Sequence, residues 1–263
     1  MHRVKKRVEV CFSPNLYALH KEDFEIVVVI DVLRATSAIC TAMHHGVKSI
    51  IPIASLEEAF AYKKKGFIVA AEREGEIVEG FKFGNSPYAY MDPAFKGKTI
   101  VMTTTNGTKT INVAKKDSKT IVVGSFLNMN VLSDWLIKQN KNVLLLCSGW
   151  KDKFNLEDTL CAGAIAEMML DSLKFESHED SSIAAKYLFI SAKSNYMGFL
   201  KSSSHRRRLK KLNLNRDIIY CLTPNQTPVV PILKNGEIVN LSLKTAKKAV
   251  KTSLKKVKKA KKE

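Results

Sequence analysis

No two cysteines stand in a CxxC spacing and none form a zinc-type array; the five, Cys11, Cys40, Cys147, Cys161 and Cys221, are scattered singly. An odd set of isolated thiols excludes a disulfide scaffold and points to a reducing, cytoplasmic home. No stretch of about eighteen apolar residues runs free of charge, so no transmembrane helix is expected. The basic residues 1–7 lead only into the short, interrupted apolar run 8–12, which argues against a secretory signal peptide. There is no GxxxxGK[ST] loop, so nucleoside-triphosphate binding of that kind is not implied. No repeat is found, and no clear linker interrupts the chain before Leu241.

Acid is scarce at one end: after Leu241 ten lysines stand against the single acid Glu263. That appendage holds half of the formal +18; the rest of the chain has 33 basic and 24 acidic residues, a net +9. Such a balance suits an anionic substrate without demanding one. Hydrophobic residues at 45% and charged residues at 26% are ordinary for a globular protein, and 263 residues can bury a core unaided. The division expected is a body over 1–240 and a basic tail over 241–263.

Short β-branched runs at 8–12, 26–30, 49–53, 67–71, 99–102, 120–123, 142–146 and 218–221 read as strands. Helical patterns fall between them at 34–45, 56–65, 108–115, 128–139 and 156–170. The alternation predicts an α/β fold, three layers α/β/α around a mainly parallel or mixed sheet, as one body or two closely joined α/β lobes. The polar segment 176–211 reads as a helix followed by an exposed loop. In such sheets chemistry gathers where strands end and helices begin, and four strand ends here deliver polar clusters.

Asp31-Val32-Leu33-Arg34-Ala35-Thr36-Ser37 is the first. An acid ending a buried strand can hold a metal and an arginine near a helix start can grip a phosphate; equally, Asp31 can cap the helix and Arg34 can form a surface ion pair. Glu72-Arg73-Glu74-Gly75 repeats the logic, with a charged turn as its alternative. In Phe83-Gly84-Asn85-Ser86-Pro87, Asn85 and Ser86 can bind an oxyanion or serve the turn alone. Thr103-Thr104-Thr105-Asn106-Gly107-Thr108 can cradle a phosphate or sulfonate between strand and helix, or be a capped turn. After Cys147-Ser148-Gly149-Trp150, Glu157 and Asp158 either complement a helix dipole or join Asp31 and Glu72 as the hard oxygen ligands magnesium prefers. Cys147 lacks the loop and arginine of cysteine phosphatases, which favours a supporting place over a nucleophile. His205, in the loop expected at 202–208, can protonate a leaving oxygen or simply be solvated.

In order and combination these blocks resemble the 2-phosphosulfolactate phosphatase family. The resemblance also runs through Gly80-Phe81, Gly84-Asn85-Ser86-Pro87, Gly124-Ser125-Phe126 with Asn128, and Cys161-Ala162-Gly163, spanning about residues 8–231. It implies a magnesium-dependent phosphatase that converts 2-phospho-3-sulfolactate to 3-sulfolactate and phosphate, a step towards coenzyme M. On that footing Asp31, Glu72, Glu157 and Asp158 supply or organise Mg2+, and Asp31, Arg34 and His205 form the catalytic set. Arg34, Thr36, Arg73, Asn85 and Ser86 contact the substrate, together with Thr105, Asn106, Thr108 and Cys147. Asp31 is the first candidate if a carboxylate rather than water attacks phosphorus. Two departures bear on substrate identity: Glu74 adds a carboxylate where the family often reads glycine, and Ser148 stands where alanine is usual.

The partner expected is therefore a small phosphorylated anion, with no membrane span, no nucleic acid, and a homodimer kept open. Two alternatives are another small phosphorylated acid as substrate, or a basic protein that binds nucleic acid or an anionic surface. The second rests on the tail, where Leu241, Leu243, Ala246, Val250, Leu254 and Val257 recur among lysines as in a basic amphipathic helix.

Overall fold

The computed structural model describes residues 4–20, 24–117 and 120–241, so the basic tail beyond Leu241 lies outside the described residues. In chain order the strands are β1 (Lys6–Cys11), β2 (Ile26–Ile30), β3 (Ser49–Pro52), β4 (Ile68–Arg73), β5 (Glu76–Ile77), β6 (Thr99–Thr103), β7 (Thr120–Gly124), β8 (Val143–Cys147), β9 (Phe175–Glu176), β10 (Pro231–Lys234) and β11 (Glu237–Asn240). The helices are α1 (Ala35–His44), α2 (Leu56–Lys64), α3 (Gly107–Ala114), α4 (Met129–Gln139), α5 (Leu156–Asp171), α6 (Asp180–Ala192), α7 (Tyr196–Phe199), α8 (Ser204–Lys211) and α9 (Asn215–Cys221).

All strands join one sheet in the order β5-β4-β6-β3-β11-β10-β7-β2-β8-β1-β9. Two parallel blocks can be distinguished, β4-β6-β3 and β7-β2-β8-β1-β9. The antiparallel hairpin β10–β11 bridges them, pairing Ile232 with Val122 and Ile238 with Ile50. Its turn is Asn235-Gly236, both at positive φ (52° and 82°), the two-residue turn whose twist suits a hairpin. The expected three-layer α/β/α class with a mixed sheet is what the chain forms, with the two blocks sharing one sheet.

Valines and isoleucines buried on both faces make β2 a central strand. Val28 and Ile30 face a core shared with α4, α5 and α6, whereas Val27 and Val29 face a core shared with α1 and α3. Each such side chain contributes about 1.5–3 kcal/mol on full burial, so the middle of the sheet is a rigid platform. The loops at its carboxyl edge are thereby fixed in space.

Two expectations are corrected. Residues 218–221 are the end of α9, not a strand: Ile218, Cys221 and Leu222 turn inward at helical spacing while Ile219 is 55% exposed. A four-residue apolar run carries too little periodicity to choose between the two. The loop expected at 202–208 is instead α8, capped by Ser203, whose hydroxyl accepts the Arg206 N–H. Its inward face is His205 and Leu209, four residues apart and both buried, so His205 is not a solvated loop residue.

Candidate active site

The segments following β2, β4, β6 and β8 converge on a narrow cavity of about 10 Å³, room for about one water molecule. Asp31, Arg34, Glu72, Asn85, Thr105 and Asn106 supply polar wall, and Trp150, His205 and Leu209 close it from the side of α8. Each side chain is held by the folding of its own loop. Thr36 clamps the Asp31 backbone, its hydroxyl donating to the Asp31 carbonyl (2.8 Å) and accepting the Asp31 N–H (3.0 Å). Thr108 and Thr104 lock the next turn in the same way, each hydroxyl accepting the other's N–H.

Glu72 is a staple. One carboxylate oxygen accepts Gly75 N–H (2.5 Å) and Thr105 Oγ1–H (3.0 Å); the other accepts Asn85 Nδ2–H (3.1 Å) and Thr105 N–H (3.2 Å). Asp158 likewise accepts Val32 N–H at 2.8 Å, Gly149 N–H at 3.0 Å and Asn155 Nδ2–H at 2.9 Å. Glu157 is buried with one oxygen 2.6 Å from His205 Nδ1 and the other 3.3 Å from Ser203 Oγ. Arg34 donates to Asp217 at 2.5 Å and to the Gly75 carbonyl at 2.6 Å. Asp217 also accepts Ser86 Oγ–H at 3.1 Å.

Asp31 is the exception among the acids. Its Oδ1 accepts only the Ala35 N–H, at 3.4 Å, and its Oδ2 has no hydrogen-bond partner among the described residues. Burial first, then the neighbouring Asp158 charge, pushes the Asp31 carboxyl up to about 8, with Glu72 adding to the effect and His205 opposing it. Burial and the Glu157 charge push Asp158 in the same direction. Three donors oppose that rise by favouring the charged form of Asp158, whereas Asp31 has a single long one. Asp31, with open lone pairs, and Glu72 are the two carboxylates on the cavity wall, and of these only Asp31 offers an unoccupied hard oxygen.

The family model described as 2-phosphosulpholactate phosphatase matches residues 11–236. The chain belongs to the 2-phosphosulpholactate phosphatase family. A relative from Thermotoga maritima named "Probable 2-phosphosulfolactate phosphatase" is 42% identical over 212 residues, covering 81% of this chain and 90% of its own. Proteins of the same name from Caldanaerobacter subterraneus subsp. tengcongensis and Clostridium acetobutylicum are 40% and 34% identical over 80% and 89% of this chain, covering 88% and 100% of their own.

The fold of this phosphatase-family chain brings Asp31, Arg34, Glu72, Asn85, Thr105, Asn106 and His205 together as cavity wall. It does not bring all the expected substrate contacts there. Thr36 and Thr108 are fully buried, with hydroxyls engaged in their own turns, because a hydroxyl four or five residues along reaches backbone before it reaches a ligand. Cys147 is buried at the end of β8 and does not line the cavity; burial drives its thiol well above the ordinary value. Ser86 serves Asp217, and Arg73 donates to the Glu72 carbonyl and Thr103 Oγ1 while facing a neighbouring groove with Lys109 and Lys116. Arg34 is not a free phosphate fork, since both terminal nitrogens donate to protein oxygens.

The expected four-carboxylate metal shell is narrowed too. Among the described residues no group of three or more His, Cys, Asp or Glu side chains is arranged to hold a metal. Glu72, Asp158 and Glu157 have their oxygens engaged by donors, which makes them organisers of the site rather than ligands. The residues fit magnesium in a narrower way: Asp31 Oδ2 as protein ligand, with water and substrate oxygens supplying the rest, which is how this ion is commonly held.

Asp217, Ser203 and Asn155 were not legible as site residues, although an asparagine before Leu156-Glu157-Asp158 is a helix-capping signal. Gly107 also proves critical. A Cβ there would stand 2.6 Å from the Ala35 Cβ and 2.9 Å from Asp31 Oδ2, so only glycine lets α3 approach. Gly107→Ala should therefore displace Asp31 and lower kcat by about a hundredfold while circular dichroism stays unchanged. Wild-type turnover by that variant would remove Asp31 placement from the account.

Proposed function

We propose that this chain is a magnesium-dependent phosphatase that hydrolyses 2-phospho-3-sulfolactate to 3-sulfolactate and phosphate. The observation that carries the reading is the open Oδ2 of Asp31, a residue on the wall of a polar cavity in a chain of this family. The names of its relatives supply the substrate, and the route to coenzyme M in the cytoplasm is the setting that substrate suggests.

Asp31 would hold Mg2+, with Glu72 and Asp158 keeping the three surrounding loops in register. When bound, the ion supplies charge neutralisation at the phosphoryl oxygens. Asn85 Oδ1 is buried with no partner, and because Nδ2 is committed to Glu72 this acceptor is available to orient the attacking water. Thr105 and Asn106 border the same space. His205, its Nδ1 fixed by Glu157, has Nε2 left to protonate the leaving oxygen as the ester P–O bond breaks.

Phosphate release from 2-phospho-3-sulfolactate should vanish in excess chelator and return with added magnesium. Magnesium should also raise the thermal midpoint of the wild type and not that of Asp31→Asn. Undiminished turnover in chelator would take the metal out of the reaction. An aspartyl phosphate recovered by acid quench would reassign the attack from water to Asp31.

A further inference from the structure

Arg34 lines the cavity and Arg73 faces the neighbouring groove, and both have their forks engaged by protein oxygens: Arg34 by Asp217 and Gly75, Arg73 by Glu72 and Thr103. Arg208 differs. Its guanidinium carbon lies 4.0 Å from the centroid of the Trp150 ring, and its Nε and Nη2 are buried with no acceptor among the described residues. Those two nitrogens form one edge of the planar group, the pair of parallel donors that a carboxylate or sulfonate accepts bidentately. Leaving a charged edge buried and unpaired is costly, so the arrangement is incomplete without an acceptor.

The nearby acids do not complete it. Glu157 is held by His205 and Ser203, and exposed Glu74 pairs with Lys151 at 2.5 Å. Position then indicates what the acceptor is. Arg208 stands three residues after His205 on α8, which places the two side chains on the same side of the helix. Trp150, stacked under Arg208, also lies against His205 with ring centroids 5.0 Å apart and lines the cavity. A leaving oxygen beside His205 therefore puts the remainder of the leaving group within about one helical turn of the open guanidinium edge.

We infer that Arg208, held flat on Trp150, receives a second acid group carried on the leaving group of the substrate. This rests on the phosphatase reading for its geometry. It makes Arg208 a determinant of specificity: the cavity distinguishes a phosphoester that bears a neighbouring sulfonate or carboxylate from one that bears none.

The test compares wild type with Arg208→Gln and Arg208→Lys on 2-phospho-3-sulfolactate, 2-phospholactate and ethyl phosphate. Arg208→Gln should raise KM for the sulfonated ester by about ten- to a hundredfold, with kcat nearly unchanged and ethyl phosphate unaffected. Arg208→Lys should recover part of the loss, since it keeps the charge without the fork. If 2-phospholactate suffers with the sulfonated ester, the carboxylate is the group held; if it is spared, the sulfonate is. Equal losses on all three esters, or none, would overturn the assignment. Direct binding of 3-sulfolactate, read from Trp150 fluorescence in a Trp135→Phe background, should weaken to the same extent in Arg208→Gln. That measurement needs no turnover: were the wild type to hydrolyse none of the esters, the phosphatase reading would fail while binding unaltered by Arg208→Gln would still refute the receptor.

Discussion

Asp31→Asn is expected to lower phosphate release by at least about a thousandfold while stabilising the metal-free protein at alkaline pH. The first effect follows from the carboxylate oxygen that no protein donor occupies; an amide is neutral, and whichever end faces the cavity it cannot replace an anionic ligand. The second follows from linkage. Burial, and then Asp158, raise the folded-state value of Asp31 from 3.8 to about 8. The folded protein thus binds this proton more tightly than the unfolded chain, and the corresponding stability is complete below about pH 4 and lost as pH rises towards 8. Asparagine has no proton to lose at that position. Thermal midpoints in chelator should separate the two proteins progressively between pH 5 and pH 8, with the variant higher at the alkaline end. A constant difference across that range would show that Asp31 does not titrate in the buried pair, and retained activity would remove it from the reaction.

Asp31 was legible because its signal is local: an apolar strand ending in an acid, followed by a helix, describes the carboxyl edge of a parallel sheet. Glu72, Asn106 and Asp158 were legible for the same reason, as was the α/β class, whose central strands are short continuous runs of valine, isoleucine and leucine. What those residues do was less legible. Hydrogen bonding decides whether an acid is a ligand or a staple, and the donors that occupy Glu72 come from Gly75, Asn85 and Thr105, brought together only by the sheet order. The partner that neutralises Arg34 lies 183 positions away, on a helix whose apolar residues imitate a strand. Thr36 and Thr108 mislead in the opposite sense, since a threonine at a strand-to-helix turn has the same sequence appearance whether its hydroxyl faces a ligand or closes its own turn. The hairpin around Asn235-Gly236, absent from the strands expected above, supplies the two strands that unite the parallel blocks.

His205→Gln should separate proton transfer from phosphoryl binding. His205 is buried on α8, its Nδ1 2.6 Å from the Glu157 carboxylate, and its ring lies against Trp150, so its orientation is set from two sides and Nε2 is the nitrogen left to the cavity. An alkoxide leaving group such as that of sulfolactate needs a proton as the P–O bond breaks; a nitrophenolate does not. The glutamine variant should therefore lose about a hundred- to ten-thousandfold in kcat on 2-phospho-3-sulfolactate, yet less than about tenfold on p-nitrophenyl phosphate. KM for 2-phospho-3-sulfolactate should change little, because Asp31, Asn85 and Thr105 remain in place. Equal losses on the two esters would instead mean that His205 holds the phosphoryl group or supports Glu157, and the general-acid role would pass to another residue of the cavity wall.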